Sequence, residues 1–106
     1  MEERVFYKDV TEINSLPGET FILELQGHST AGYEWRLELG DSGVDFEELD
    51  ATRDADAIGG ATRQRFRIHP RLPGVSTIVL EYGRPWEIDL VETKTVTLRV
   101  AEEEGR

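Results

Sequence analysis

Tyr33-Glu34-Trp35-Arg36-Leu37-Glu38-Leu39 alternates without a break, aromatic or aliphatic residues at the odd positions and charges at the even ones. Successive side chains on a strand point to opposite faces, so this stretch reads as a half-buried β-strand with Trp35, Leu37 and Leu39 inward. A helix would scatter the same residues around its circumference. Period two recurs on both sides. Phe21, Leu23 and Leu25 share one face. So do Phe66 and Ile68 within Gln64-Arg65-Phe66-Arg67-Ile68-His69, and Val96, Leu98 and Val100 alternate with Thr95, Thr97 and Arg99. Val75 to Tyr82 is rich in β-branched residues, and weaker strands are expected at 4–10 and 44–52.

Leu16-Pro17-Gly18-Glu19, Gly40-Asp41-Ser42-Gly43 and Leu72-Pro73-Gly74 punctuate these runs as compact turns. No segment carries a sustained helical stripe with caps, although 50–58 has room for a helical turn. About seven short strands with regular turns predict an all-β fold, an immunoglobulin-like antiparallel β-sandwich with Trp35 in its core. With no cysteine the two sheets have no disulfide between them, so packing alone is expected to hold them.

Length and composition bound the rest. The chain has 106 residues, 38% hydrophobic and 32% charged, which suits one globular domain over 1–106. No apolar run nears the roughly 20 residues needed to cross a bilayer, so no membrane partner is expected. Twenty-two acids against 12 bases give a net charge of −10, which argues against a general nucleic-acid binder. The absence of cysteine also removes thiolate metal sites and a cysteine nucleophile. Met1-Glu2-Glu3-Arg4 lacks the pattern of a secretory leader, so the expectation is a cytoplasmic protein or a mature exported form.

If successive strands run antiparallel, alternate connections fall at the same end of the sandwich. The turns at 14–19, 40–43 and 70–74 form one set, and the connections at 27–32, 53–61 and 83–93 the other. The second set is glycine-rich and holds a tryptophan with no place in the strand pattern, which makes that end the functional candidate. In its first stretch, Gly27-His28-Ser29-Thr30-Ala31-Gly32-Tyr33, small residues make either a narrow tip or an ordinary hairpin loop. In the second, Ala57-Ile58-Gly59-Gly60, paired glycines leave backbone groups accessible to a partner or simply form a flexible connection. In the third, Arg84-Pro85-Trp86, two side chains typical of interface hot spots flank a proline that stiffens the backbone. The other reading of that stretch folds Trp86 back as a lid on the core and pairs Arg84 with a surface carboxylate.

Catalysis is poorly supported. His28 and Ser29 are adjacent, so on an extended chain their side chains point apart, and nothing marks a nucleophile elbow. His28 and His69 are expected at opposite ends, which disfavours a shared metal, and the acids of 41–56 lack calcium-loop spacing. Residues 57–80 hold four arginines (Arg63, Arg65, Arg67, Arg71) and no acid, against seven acids and one arginine in 41–57. Cross-strand ion pairs are the expected use of that asymmetry.

Taken together, the three stretches resemble the chagasin family of cysteine peptidase inhibitors. Its members carry an Asn-Pro-Thr-Thr-Gly-Tyr-type loop, a Gly-x-Gly-Gly-type loop and an Arg-Pro-Trp loop, in that order. The matching stretches here are His28-Ser29-Thr30-Ala31-Gly32-Tyr33, Ala57-Ile58-Gly59-Gly60 and Arg84-Pro85-Trp86, with Trp35 and Leu80-Glu81-Tyr82 in fitting positions. The resemblance implies an immunoglobulin-like sandwich that acts as a monomer without a cofactor. It implies reversible, non-covalent inhibition of a papain-like cysteine peptidase. Thr30 and its neighbours would sit over the catalytic centre, Gly59 and Gly60 along one wall of the cleft, and Arg84 and Trp86 against the other. This chain has His28 for the usual asparagine, Ser29 for the proline, Ala31 for the second threonine and Ala57 for the first glycine. Loss of the proline loosens the tip and is expected to weaken binding, and His28 is expected to make affinity depend on pH near the ordinary imidazole range of about 6.5. An immunoglobulin-like protein-binding or adhesion module without inhibitory activity is the alternative.

Overall fold

The computed structural model describes residues 3–28, 33–40, 43–53, 61–84 and 86–102. These form eight strands: β1 (Arg4–Phe6), β2 (Glu12–Ser15), β3 (Phe21–His28), β4 (Glu34–Leu39), β5 (Val44–Arg53), β6 (Ala61–Pro70), β7 (Gly74–Gly83) and β8 (Glu92–Val100). One sheet has the order β1-β3-β6-β5 and the other β2-β8-β7-β4. The inward rows are those the alternation marks. Trp35, Leu37, Phe21, Leu23, Leu25, Phe66, Ile68, Val96, Leu98 and Val100 are all buried between the sheets, with Ile78 and Leu80 among them. Their removal from water is the main force holding the two sheets face to face.

The N-terminal segment departs from expectation. In place of a single strand over 4–10 there are two short ones on different sheets, separated by a turn in which the Val10 N–H donates to the Tyr7 carbonyl at 3.0 Å. Both pair in parallel, β1 with β3 (Arg4↔Phe21) and β2 with β8 (Glu12↔Thr97), so the sandwich is not wholly antiparallel. Phe6 and Ile13 supply the reason for the crossing. Phe6 packs edge-on against Phe21 from the first sheet, and Ile13 is fully buried from the second. Residues 50–53, where a helical turn had room, continue β5. The rest of that stretch lies outside the described residues.

Packing is not the only link between the sheets. Gln64 on β6 reaches across the core to the backbone of Trp35 on β4, accepting its N–H at 2.7 Å and donating to its C=O at 3.1 Å. The Trp35 indole N–H donates back to the Gln26 carbonyl of β3 at 3.1 Å. A buried polar group survives only when so satisfied, and these three bonds do on polar terms part of what a disulfide does elsewhere.

The turns at one end are tied together. Gly18, at a φ of +83° that its lack of a side chain permits, closes the Leu16–Glu19 turn. Its N–H donates to Pro70, and the N–H groups of Arg71 and Leu72 both donate to Gly43. On the outer face arginines on and just after β6 meet acids on and beside the neighbouring strands: Arg65 with Glu24, Arg67 with Glu3 and Glu47, Arg71 with Asp45.

Candidate functional site

The far end of the sandwich is defined by strand register. Gly27 and His28, the last residues of β3, lie opposite Thr62 and Ala61 at the start of β6, and Arg53 at the end of β5 is also paired with Thr62. On the second sheet, Glu34 at the start of β4 lies opposite Gly83 at the end of β7. The Tyr82 ring bridges the two sheets here, pressed so closely on Gly27 that a Cβ on that glycine would come within 3.0 Å of it. The strands leading into 29–33, 54–60 and 84–91 therefore all arrive at one end.

Of the residues singled out above, Ser29, Thr30, Ala31, Gly32, Ile58, Gly59, Gly60 and Pro85 lie outside the described residues, as does Ala57. His28 is described as the final backbone position of β3. Tyr33, Arg84 and Trp86 are described with their side chains, and the structure brings the first two together. The Arg84 guanidinium lies 4.5 Å from the centre of the Tyr33 ring. Tyr33 stacks on Tyr82 at 5.7 Å, and Tyr82 packs at a tilt of 37° on Trp35 at 4.9 Å. A column of four side chains thus runs from a cation at the surface to an indole in the core. Cation–π and offset aromatic contacts hold it, and each layer belongs to a different part of the chain from the one beneath it.

The third stretch is a closed turn. The Glu87 N–H donates to the Arg84 carbonyl at 3.0 Å, and the Glu87 carboxylate pairs with the Arg84 guanidinium at 3.0 Å. Beyond it, Leu90 packs on Gly83 and the Val91 N–H donates to the Tyr82 carbonyl at 2.8 Å. Held at both ends, the turn projects Trp86, which is 70% exposed and is no lid on the core. Ile88 and Val91 are exposed beside it. Arg84, by contrast, does pair with a carboxylate, its near neighbour Glu87.

Beside this end lies a groove of about 410 Å³ lined by Lys8, Gln26, Gly27, Trp35, Tyr82 and Glu92, with Lys8 and Glu92 ion-paired at 2.8 Å. Among the described residues no group of three or more His, Asp or Glu side chains is placed to hold a metal ion. Among the described residues, the carboxyl whose affinity for protons is most clearly altered belongs to the other end. The Thr20 hydroxyl and the Arg67 guanidinium, both hydrogen-bonded to Glu3, hold its pKa below the usual carboxylate value.

Sequence reasoning missed Gln64, Tyr82 and Glu87 as supports of this end. Tyr82 carried a signal, since it closes the inward row of Ile78 and Leu80 with a polar-tipped ring. Gln64 carried one as well, as the amide that begins the inward row of Phe66 and Ile68.

Residues 15–100 match the family described as chagasin family peptidase inhibitor I42. The chain belongs to the chagasin family of peptidase inhibitors. It is accordingly an inhibitor-family protein rather than an enzyme. No curated protein sequence matches it. Solved structures of the chagasin-like fold do. The cysteine protease inhibitor EhICP2 from Entamoeba histolytica superposes with a TM-score of 0.73 at 19% identity, over 92% of this chain and 94% of that one. Amebosin superposes with a TM-score of 0.72 at 24% identity, over 97% of this chain and 100% of its own. PbICP-C, solved in complex with falcipain-2, gives a TM-score of 0.54 at 18% identity, over 97% and 91% of the two chains. At these identities the likeness shows the all-β fold alone.

Proposed function

We propose that the protein, acting as a single monomeric domain, reversibly inhibits papain-like cysteine peptidases by filling the active-site cleft with three loops. The observation that carries this reading is the turn at Arg84–Glu87. It holds a tryptophan 70% exposed at the end from which the other two family stretches also depart. A large apolar side chain kept out of the core at that exposure forgoes burial, and a rigid turn then releases it to a partner at small entropic cost. The family match and the neighbour solved with falcipain-2 support the choice of peptidase class.

Inhibition on this reading is steric. Ser29, Thr30, Ala31 and Gly32, with His28 and Tyr33 at their root, cover the peptidase's catalytic centre. Ile58, Gly59 and Gly60 follow one wall, and the stretch from Arg84 through Pro85 to Trp86 meets the other. An interface of about 1,600 Å² in total suits such a plug. No bond is made or broken in the inhibitor.

Titration against papain and a cathepsin L-type enzyme tests the proposal. Concentration-dependent inhibition that reverses on dilution supports it. Full peptidase activity in the presence of micromolar protein, with no complex on size-exclusion chromatography, overturns it in favour of a binding module without inhibitory activity.

A further inference from the structure

Arg84 occupies a place that a simple contact residue does not need. Its guanidinium carbon sits over Tyr33, 4.5 Å from the ring centre, while one of its amino groups donates to Glu87 Oε1 at 3.0 Å. Tyr33 is the root of the first family stretch, and Glu87 closes the turn that carries Trp86. Beneath Tyr33, Tyr82 and Trp35 continue the stack into the core, and Trp35 is fixed by Gln64 and Gln26. The cation therefore joins one recognition stretch to another and, through the stack, connects both to the buried core.

We propose that Arg84 is a positioning residue, which sets the projection of Trp86 relative to the first stretch by bridging Tyr33 and Glu87. This rests on the inhibitory reading above and deepens it. Within the stretch that meets the peptidase wall, Trp86 supplies the side-chain contact, while Arg84 lends its backbone and turns its planar, five-donor guanidinium inward to Tyr33 and Glu87. Lysine at this position offers a point charge with no fork, so it can occupy the ring or the carboxylate but holds the turn less well.

The test is a double-mutant cycle of Arg84→Ala and Tyr33→Leu, with Tyr33→Phe as the conservative variant. Two readouts are used, the inhibition constant against papain and the ¹⁹F NMR spectrum of protein labelled with 5-fluorotryptophan. Each single change is expected to weaken inhibition about five- to tenfold, and the double variant no more than either single one, because both remove the same bridge. Tyr33→Phe keeps the ring and is expected to leave the Trp86 resonance at its wild-type position. In the spectrum the Trp86 resonance, assigned by Trp86→Phe, shifts in Arg84→Ala and Tyr33→Leu while that of Trp35 stays in place. Losses that multiply in the double variant identify Arg84 as a direct peptidase contact and overturn the proposal, as does an unmoved Trp86 resonance in Arg84→Ala. If the wild-type protein inhibits no peptidase, the inhibitory reading fails, and the spectrum alone decides whether Arg84 positions Trp86.

Discussion

Gln64, on one sheet, holds the backbone of Trp35, on the other, at both its N–H and its C=O. The amide is buried, and its Nε2 also donates to Glu48 Oε2 at 3.3 Å. Replacement of Gln64 by leucine keeps the volume and strands two buried backbone groups. Each such group costs about 1–3 kcal/mol, so Gln64→Leu is expected to destabilise the fold by about 2–6 kcal/mol. Urea denaturation checks it; a variant within 0.5 kcal/mol or so of wild type would mean that water replaces the amide.

The two tryptophans are expected to separate stability from function. Trp86→Ala removes an exposed side chain, so the melting temperature is expected to stay within about 2 °C of wild type. Affinity for a papain-like peptidase is expected to fall by about 2 kcal/mol, roughly thirtyfold. Trp35→Ala empties a site only 2% exposed and removes the indole hydrogen bond, at a cost of about 3–5 kcal/mol. Thermal melts and inhibition assays on the same preparations read both.

Gly27 has no room for a side chain. A methyl group there would meet Tyr82 at 3.0 Å from Cε1 and 3.3 Å from the hydroxyl oxygen, so the ring must move. Gly27→Ala is expected to cost about 1–2 kcal/mol of stability and to weaken inhibition together with it, since Tyr82 carries Tyr33. An alanine variant with unchanged melting temperature and inhibition would show the ring to be free to yield.

Glu3 makes stability depend on pH. Hydrogen bonds from Thr20 and then Arg67 lower its pKa in the folded protein, so the folded state binds this proton more weakly than the unfolded chain does. The resulting stabilisation is complete above the unfolded value of about 4.3 and is lost as the pH falls through the lowered folded value. Glu3→Gln is therefore expected to lower the melting temperature slightly at pH 7, and the difference from wild type is expected to close in strong acid. A gap that persists unchanged at pH 2 would assign it to the geometry of the side chain rather than to its charge.

Much of this molecule is legible in its residues, and the limits have physical causes. Period two places Trp35, Leu37, Phe66 and Leu98 inward because one face of each sheet meets the core and the other meets water. The same signal says nothing about which strand lies beside which. Glu12-Ile13-Asn14-Ser15 is a four-residue strand with only Ile13 and Ser15 inward, too brief for a pattern, and its parallel partner lies 85 positions on, at Thr97. At the site, Trp86 stands out because a tryptophan beside proline fits no inward row. Arg84 and Glu87 look like solvated charges until Tyr33 is seen beneath the guanidinium. Gln64 is hidden for the opposite reason: an amide in an inward row is intelligible only once the strand it clasps is known.

The pairing of β2 with β8 has a consequence for how the chain comes to be folded. Ser15 lies beside Val100, so the second strand of the domain is matched to its eighth. Until β8 is in place Ile13 has no ladder to join, and the sheet holding β4 and β7 lacks one of its inner strands. Bringing β2 onto β8 closes a loop of about 85 residues, from Glu12 to Thr97, which is slow and entropically costly. Docking of β2 is then expected to be a late event in folding.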